Sequence, residues 1–162
     1  MTSNASAKEN LQRLAERNLL KAEPAAAQEI AGFLAASARL LADARRQELA
    51  DETRFTAVYS AAHLLALAAM RLRDYRPAQG PGHRSIVFQT LPHTIAASAE
   101  LWVPLSKMHD KRNALEYAAD AAFSRTEVEQ WITTVSDLDR LVRQWVATHR
   151  PDLQLQQGPK PT

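Results

Sequence analysis

Four polar residues between positions 109 and 116 share one face if that segment is helical. His109, Arg112, Asn113 and Glu116 lie at positions i, i+3, i+4 and i+7, the spacing of neighbours along one side of an α-helix. Histidine exchanges a proton near neutral pH, and arginine is a permanent cation that pairs with phosphate. The stripe therefore predicts a site for protons or phosphate. The alternative is a ladder of ion pairs, Arg112 with Glu116 and Asp110, that orients helices or a dimer.

A second group of chemistry-bearing residues lies in the segment 74–85, which holds two of the four glycines and two of the eight prolines. This composition is typical of a loop. Arginines lie in or beside it, and the group of interest is Arg71, Arg73, Arg76, Gly82, His83 and Arg84. Glycine leaves backbone N–H groups accessible, so the segment could receive a phosphate or an RNA backbone. The alternative is a solvated connector.

Several kinds of chemistry are excluded or disfavoured by the residue types. The chain has no cysteine, which excludes disulfides, a thiol nucleophile and cysteine-ligated metals. The five histidines lack the spacings typical of zinc sites, so neither a metal nor a cofactor is expected. His63, in an apolar helical stretch, is interpreted as a hydrogen-bonded histidine of the core or its edge.

The segment KRNALEY, residues 111–117, resembles the Arg-Asn signature of HEPN domains. A loop with proline, glycine and histidine precedes it and a capped amphipathic helix follows it, in the order of bacterial members. The resemblance extends from about residue 50 to 148. It implies a small all-α bundle, often a homodimer and often part of a toxin–antitoxin or other defence module. Active members are metal-independent RNases that use an arginine, a polar residue beside it and a histidine about four to six residues further on.

On this resemblance, Arg112 would contact the scissile phosphate and Asn113 would be the polar residue beside it. The histidine of the family is missing, because Glu116 and Tyr117 occupy its places. A carboxylate repels phosphate, and tyrosine, with a reference pKa of about 10, is a poor base at neutral pH. His109, one turn before Arg112, or His83 in the loop could take over its role.

We therefore expect a protein without catalytic activity that binds RNA, a nucleotide or a partner protein encoded in the same operon. The alternatives are a metal-independent RNase that uses Arg112, Asn113 and His109, and a purely structural helical dimer. The residues expected to line the ligand site are Arg76, Gly82, His83, Arg84, Glu116 and Tyr117. The net charge of +2 is too small for broad affinity to nucleic acid.

The elements that must position these residues are predicted to be helices. Hydrophobic residues make up 46% of the chain and glycine is scarce, which favours closely packed helices. Apolar residues at steps of three and four predict helices over 5–22, from Pro24 to 44, over 51–72 with Asp51 as N-cap, and up to 119. The helix up to 119 starts at Thr94 or Ser98, and Pro104 implies a kink or a fresh start within it. Residues 86–91 are expected to form one or two helical turns or a strand.

The last helix has a capping box from Ser124 to Glu127 and is stopped by Pro151. This order predicts an all-α antiparallel bundle of five to six helices, and the resemblance implies that it is HEPN-like. It is expected to be one domain over residues 1–150, with a flexible tail over 151–162. The polar first ten residues lack the apolar core of a signal peptide, and the longest near-apolar run, 61–70, is too short to cross a membrane. We therefore expect a cytoplasmic protein without membrane association, and the HEPN resemblance implies a homodimer.

Overall fold

The computed structural model describes the backbone of residues 4–80, 83–117 and 123–156, and the side chains of residues 4–80, 85–115 and 123–153. The described part is mostly helical, which confirms the all-α class. Its helices are α1 (Asn4–Glu16), α2 (Ala27–Ala44), α3 (Asp51–Arg71), α4 (His83–Gln89), α5 (Leu91–Thr94), α6 (Ala99–Tyr117) and α7 (Arg125–His149). Two short strands, β1 (Leu20–Ala22) and β2 (Tyr75–Pro77), and a 3-10 helix (Pro151–Gln156) complete it. The described residues form seven helices where five to six were expected, because residues 83–94 form two short helices.

Helix α3 lies at the centre of the fold and packs against α2, α7, α4, α5 and α6. Its alanines at positions 61, 62, 66, 68 and 69 are completely buried, and their small side chains allow close approach of the neighbouring helices. The helix begins at Asp51 rather than being capped by it, since Ala50 holds the N-cap position without a side-chain bond. The Asp51 carboxylate lies instead 3.7 Å from the guanidinium of the buried Arg54.

The first predicted helix is shorter than the sequence pattern indicates. Helix α1 ends at Glu16, and Asn18 takes a left-handed φ of 60° that turns the chain into β1. Strand β1 pairs antiparallel with β2, with Leu20 opposite Pro77. Leu20 is 2% exposed, so the pairing buries an apolar side chain that a longer α1 would have carried. Helix α2 begins at Ala27, three residues later than predicted from Pro24.

The last helix agrees with its prediction at both ends. The Ser124 hydroxyl accepts a hydrogen bond from the Glu127 backbone N–H at 3.1 Å, and the Glu127 carboxylate accepts from the Ser124 N–H at 3.2 Å. Helix α7 ends at His149, before Pro151. Residues 151–156, assigned above to the tail, form the 3-10 helix, and Leu153 is buried. Residues 157–162 of the predicted tail lie outside the described residues.

Two open points of the sequence analysis concern residues 86–119. Helix α6 continues through Pro104 and is described up to Tyr117, so the proline does not start a separate helix. Residues 86–91 form most of α4 and the start of α5 and are not a strand. No helix within the described ranges is long and apolar enough to cross a membrane.

Candidate functional site

A polar cluster lies where α3, α4 and α6 meet, and we call it the His109 cluster: Tyr59, His63, His109, Arg112 and Asn113. His109 is 7% exposed and Tyr59 3% exposed. The Tyr59 hydroxyl lies 2.8 Å from Nδ1 of His109, and Nδ2 of Asn113 lies 3.1 Å from its Nε2. Both ring nitrogens of the buried imidazole therefore have hydrogen-bond partners.

The local geometry of two helices places these side chains. His109 and Asn113 are one turn apart on α6, and Tyr59 and His63 are one turn apart on α3. The apolar wall of the cluster is Phe88 of α4, whose ring centroid lies 6.2 Å from those of His109 and Tyr59. The predicted common face of His109, Arg112 and Asn113 is therefore present on α6.

The hydrogen-bond network around His109 can close in either neutral tautomer. A neutral imidazole has one donor and one acceptor nitrogen. When Nδ2 of Asn113 donates to Nε2, Nδ1 of His109 carries the proton and donates to the Tyr59 oxygen. When the Asn113 amide presents its oxygen instead, Nε2 donates and the Tyr59 hydroxyl donates to Nδ1. The two hydrogen bonds fix the orientation of the imidazole ring, and either ring nitrogen can carry the proton.

Arg112 lies against the same tyrosine. Its guanidinium carbon is 4.8 Å from the centroid of the Tyr59 ring, a cation–π contact, and its side chain is partly exposed. A planar guanidinium held on an aromatic face keeps its N–H groups in a fixed plane, which suits paired hydrogen bonds to a phosphate. The site therefore presents a partly accessible cation above a buried hydroxyl–imidazole–amide network.

The arginines in and beside the loop do not converge on one site. Arg71 is 3% exposed and donates to the Glu29 carboxylate at 3.2 Å and to the carbonyls of Glu23, Pro24 and Tyr75 at 3.0 Å each. Nε of Arg76 lies 3.0 Å from the Glu23 carboxylate. These two arginines hold the connection between β1 and α2 against β2. The ligand-binding role expected of Arg76 stays a prediction.

The remaining predicted ligand residues cannot be placed at the level of side chains. Gly82 lies outside the described residues, His83 and Arg84 are the first residues of α4, and Glu116 and Tyr117 end α6; the side chains of these four lie outside the described part. Arg84 precedes Phe88 by one turn of α4. Arg71 follows Tyr59 by about 18 Å along the α3 axis. Of the two helices that flank the loop at this end, α4 contacts the His109 cluster through Phe88.

Sequence reasoning missed the contributions of α3 to this site. By its spacing Tyr59 is one of the apolar stripe of its helix, and His63 is expected in the core or at its edge. The ring centroid of His63 lies 6.4 Å from those of Tyr59 and Phe88. The spacing of Tyr59 and His63 was a usable signal for a polar edge on α3, but nothing local indicates that this edge faces α6.

The described part thus defines an all-α protein with a Tyr–His–Asn network beside an arginine at a three-helix junction. Among the described residues, no three His, Asp or Glu side chains are grouped to hold a metal ion. No family model matches the chain, and neither a curated protein nor a solved structure matches it.

Proposed function

We propose that this chain is a HEPN-like RNA-binding protein in which Arg112 binds a backbone phosphate. The observation that carries the proposal is the position of Arg112 over the Tyr59 ring, whose hydroxyl is hydrogen-bonded to His109. The tyrosine ring orients the guanidinium, and the His109–Asn113 pair holds the tyrosine. A cation positioned in this way loses little conformational freedom when it pairs with a phosphate.

The burial of His109 supports binding without cleavage. A general base must reach the proton that it removes, within hydrogen-bond distance or through one water molecule. His109 is 7% exposed and both of its nitrogens have protein partners. This supports a positioning role for His109, with Arg112 as the group that contacts the ligand.

The exposed surface favours a polar ligand over an apolar protein partner. In the described part, Leu19 is the one large apolar side chain that is exposed, at 41%. Protein interfaces usually have an apolar or aromatic centre. A homodimer, a partner from the same operon, a toxin–antitoxin or defence context and a cytoplasmic location remain parts of this proposal that rest on the sequence and the HEPN resemblance.

The test compares Arg112→Ala with Arg140→Ala in binding a fluorescent single-stranded RNA, measured by fluorescence anisotropy. Arg140 is the matched control, because it is an α7 arginine, 65% exposed, paired with Asp137. We expect about tenfold weaker binding for Arg112→Ala, the loss of one charge-assisted contact, and no change for Arg140→Ala. Equal affinities of wild type and Arg112→Ala would contradict the proposal. Thermal denaturation of both variants checks that they are folded.

A metal-independent RNase is the second candidate, favoured by the position of His109 one turn before Arg112. Incubating the same RNA with the wild type, Arg112→Ala and His109→Gln in the presence of a chelator tests it. RNA cleaved by the wild type and left intact by both variants would replace the binding proposal with an enzymatic one. If RNA neither binds nor is cleaved while Arg112→Ala changes the mass measured by light scattering, the structural-dimer alternative is favoured.

A further inference from the structure

A cleft lies away from the His109 cluster, between α1, the end of α3, α5 and α7. It consists of two adjoining cavities of about 350 Å³ and 220 Å³. Both are lined by Asn4, Arg73, Trp145 and His149, and we call the whole the Arg73 cleft. Because Arg73 follows the end of α3 and Tyr59 lies in its first half, the two sites are at different ends of the helix.

Arg73 differs from the other described arginines of the loop in its partners. Arg71 and Arg76 lie against glutamates, whereas Arg73 donates to two neutral oxygens, Oδ1 of Asn4 at 3.1 Å and the Thr94 carbonyl at 3.4 Å. No carboxylate of a described residue forms an ion pair with it. These bonds use two of its five N–H donors, and Arg73 lines both cavities of the cleft.

Arg73 is partly buried and forms no ion pair with a described residue. Its guanidinium carbon lies 5.7 Å from the centre of the Trp145 ring, and burial lowers the pKa of Arg73 below the usual value for arginine. Partial burial of a cation that forms no ion pair with a described carboxylate carries a desolvation cost. A bound anion would remove much of that cost.

Other groups lining the cleft fit a compact anion. Lys8 is exposed at the larger cavity. The His149 ring stacks on Trp145, with ring centroids 4.3 Å apart. Its Nδ1–H donates to the Trp145 carbonyl at 3.2 Å, so Nε2 is the ring nitrogen that this bond does not use. The carboxylate of Asp74 also lines the larger cavity and accepts from the Ala25 N–H at 3.0 Å, whereas no carboxylate of a described residue lines the smaller cavity.

The shape of the cleft limits the ligand further. Arg73 and His149 both already lie over the Trp145 ring, so this ring is not a platform for stacking a nucleobase. What remains is a cleft with a mixed polar and apolar lining that holds two basic side chains, Arg73 and Lys8.

We propose that the Arg73 cleft binds a phosphate-type oxyanion, either inorganic phosphate or the phosphate group of a small monoester. Arg73 supplies the charge and paired N–H donors at the base of the cleft, and Lys8 adds a second charge at its edge. This site is separate from the one proposed for RNA at Arg112.

The experiment is calorimetric titration of the full chain with inorganic phosphate and, separately, with glycerol phosphate, against chloride at matched ionic strength. The variants are Arg73→Gln, Lys8→Gln and the surface control Arg140→Gln. We expect saturable binding of at least one phosphate compound, about tenfold weaker in Arg73→Gln and about threefold weaker in Lys8→Gln, because each loses a charged contact. Arg140→Gln should bind like the wild type. The tighter of the two compounds identifies the source of the phosphate.

Lys8→Gln keeps the test decisive if Arg73→Gln does not fold, because Lys8 is exposed and makes no hydrogen bond or ion pair with a described residue. No saturable binding by the wild type, or unchanged binding when the folded cleft variants are titrated, would overturn the proposal. Arg112→Gln separates it from the RNA proposal. If that variant alone weakens phosphate binding, the anion binds near α6 and the cleft proposal fails, while the RNA proposal stands.

Discussion

At the residue scale, the properties of His109 are set by partners on two helices. Its own helix supplies Asn113, one turn away, and α3 supplies the Tyr59 hydroxyl at 2.8 Å. A buried imidazole without such partners would lose the free energy of hydration without compensation. The network therefore stabilises the junction as well as positioning Arg112 over Tyr59.

Replacing Tyr59 by phenylalanine tests this network. The substitution keeps the ring beneath Arg112 and removes the hydroxyl from His109, so the free energy of unfolding should fall by about 1–2 kcal/mol. Urea denaturation monitored by circular dichroism measures the change. Tyr75→Phe is the matched control, since the Tyr75 hydroxyl has no hydrogen bond to a described residue, and it should cost less than about 0.5 kcal/mol. Equal stability of Tyr59→Phe and the control would contradict the network.

At the element scale, a buried arginine links three helices. Arg54 of α3 is 1% exposed and donates to the carbonyl of Ala44, the last residue of α2, and to the Glu129 carboxylate of α7, at 2.8 Å each. Hydrogen bonds from Arg54 and Gln47 hold the pKa of Glu129 below its usual value. The charged form of Glu129 therefore favours the folded state.

This coupling predicts a pH-dependent stability difference for Glu129→Gln. Because the pKa of Glu129 is lowered on folding, its contribution is complete above the unfolded pKa of about 4.3 and is lost as the pH falls through the folded value. The variant should be less stable than the wild type at pH 7, and the difference should shrink below the unfolded pKa and vanish below the lower folded pKa. Urea denaturation across this range measures it.

The control for this pH series is Glu9→Gln on α1, because Glu9 is exposed and forms no ion pair with a described residue. The free energy of unfolding of Glu9→Gln should equal that of the wild type at every pH of the series. A Glu129→Gln deficit that stays constant from neutral to acidic pH would show that packing, and not the charge of Glu129, is responsible.

At the scale of the whole molecule, the fold depends on the close packing around α3. Ala66 is completely buried in the C-terminal half of that helix, so a larger side chain there would have to displace its neighbours. Protein interiors are packed to nearly crystalline density, so added volume forces side chains and backbone to shift. The many alanines of α3 are therefore part of the architecture.

Ala66→Leu is expected to lower the free energy of unfolding by about 1–3 kcal/mol, because the larger side chain has no space. Ala35→Leu makes the same change on the exposed side of α2 and should stay within about 0.5 kcal/mol of the wild type. Thermal denaturation followed by circular dichroism compares the two. If both variants melt alike, the packing around Ala66 is looser than the structure indicates.

Some features of the fold are local and were predictable from the chain alone. The capping box at Ser124, the end of α7 before Pro151, and the common face of His109, Arg112 and Asn113 each depend on residues within a few turns of one another. Helical spacing brings such residues together whatever the rest of the chain does. The start of β1 could not be predicted in this way, because a strand of three residues is too short to show an alternating hydrophobic pattern.

The helical class, the two ends of α7 and the polar face of α6 follow from residues that are close in the sequence. That Tyr59, 50 residues before His109, completes the candidate site, and that β1 pairs with β2, depends on the tertiary structure. It also decided that Arg71 and Arg76 lie against glutamates while Arg73 faces a cleft. The physical reason is that helix periodicity is a property of neighbouring residues, whereas these contacts depend on how distant apolar faces pack together.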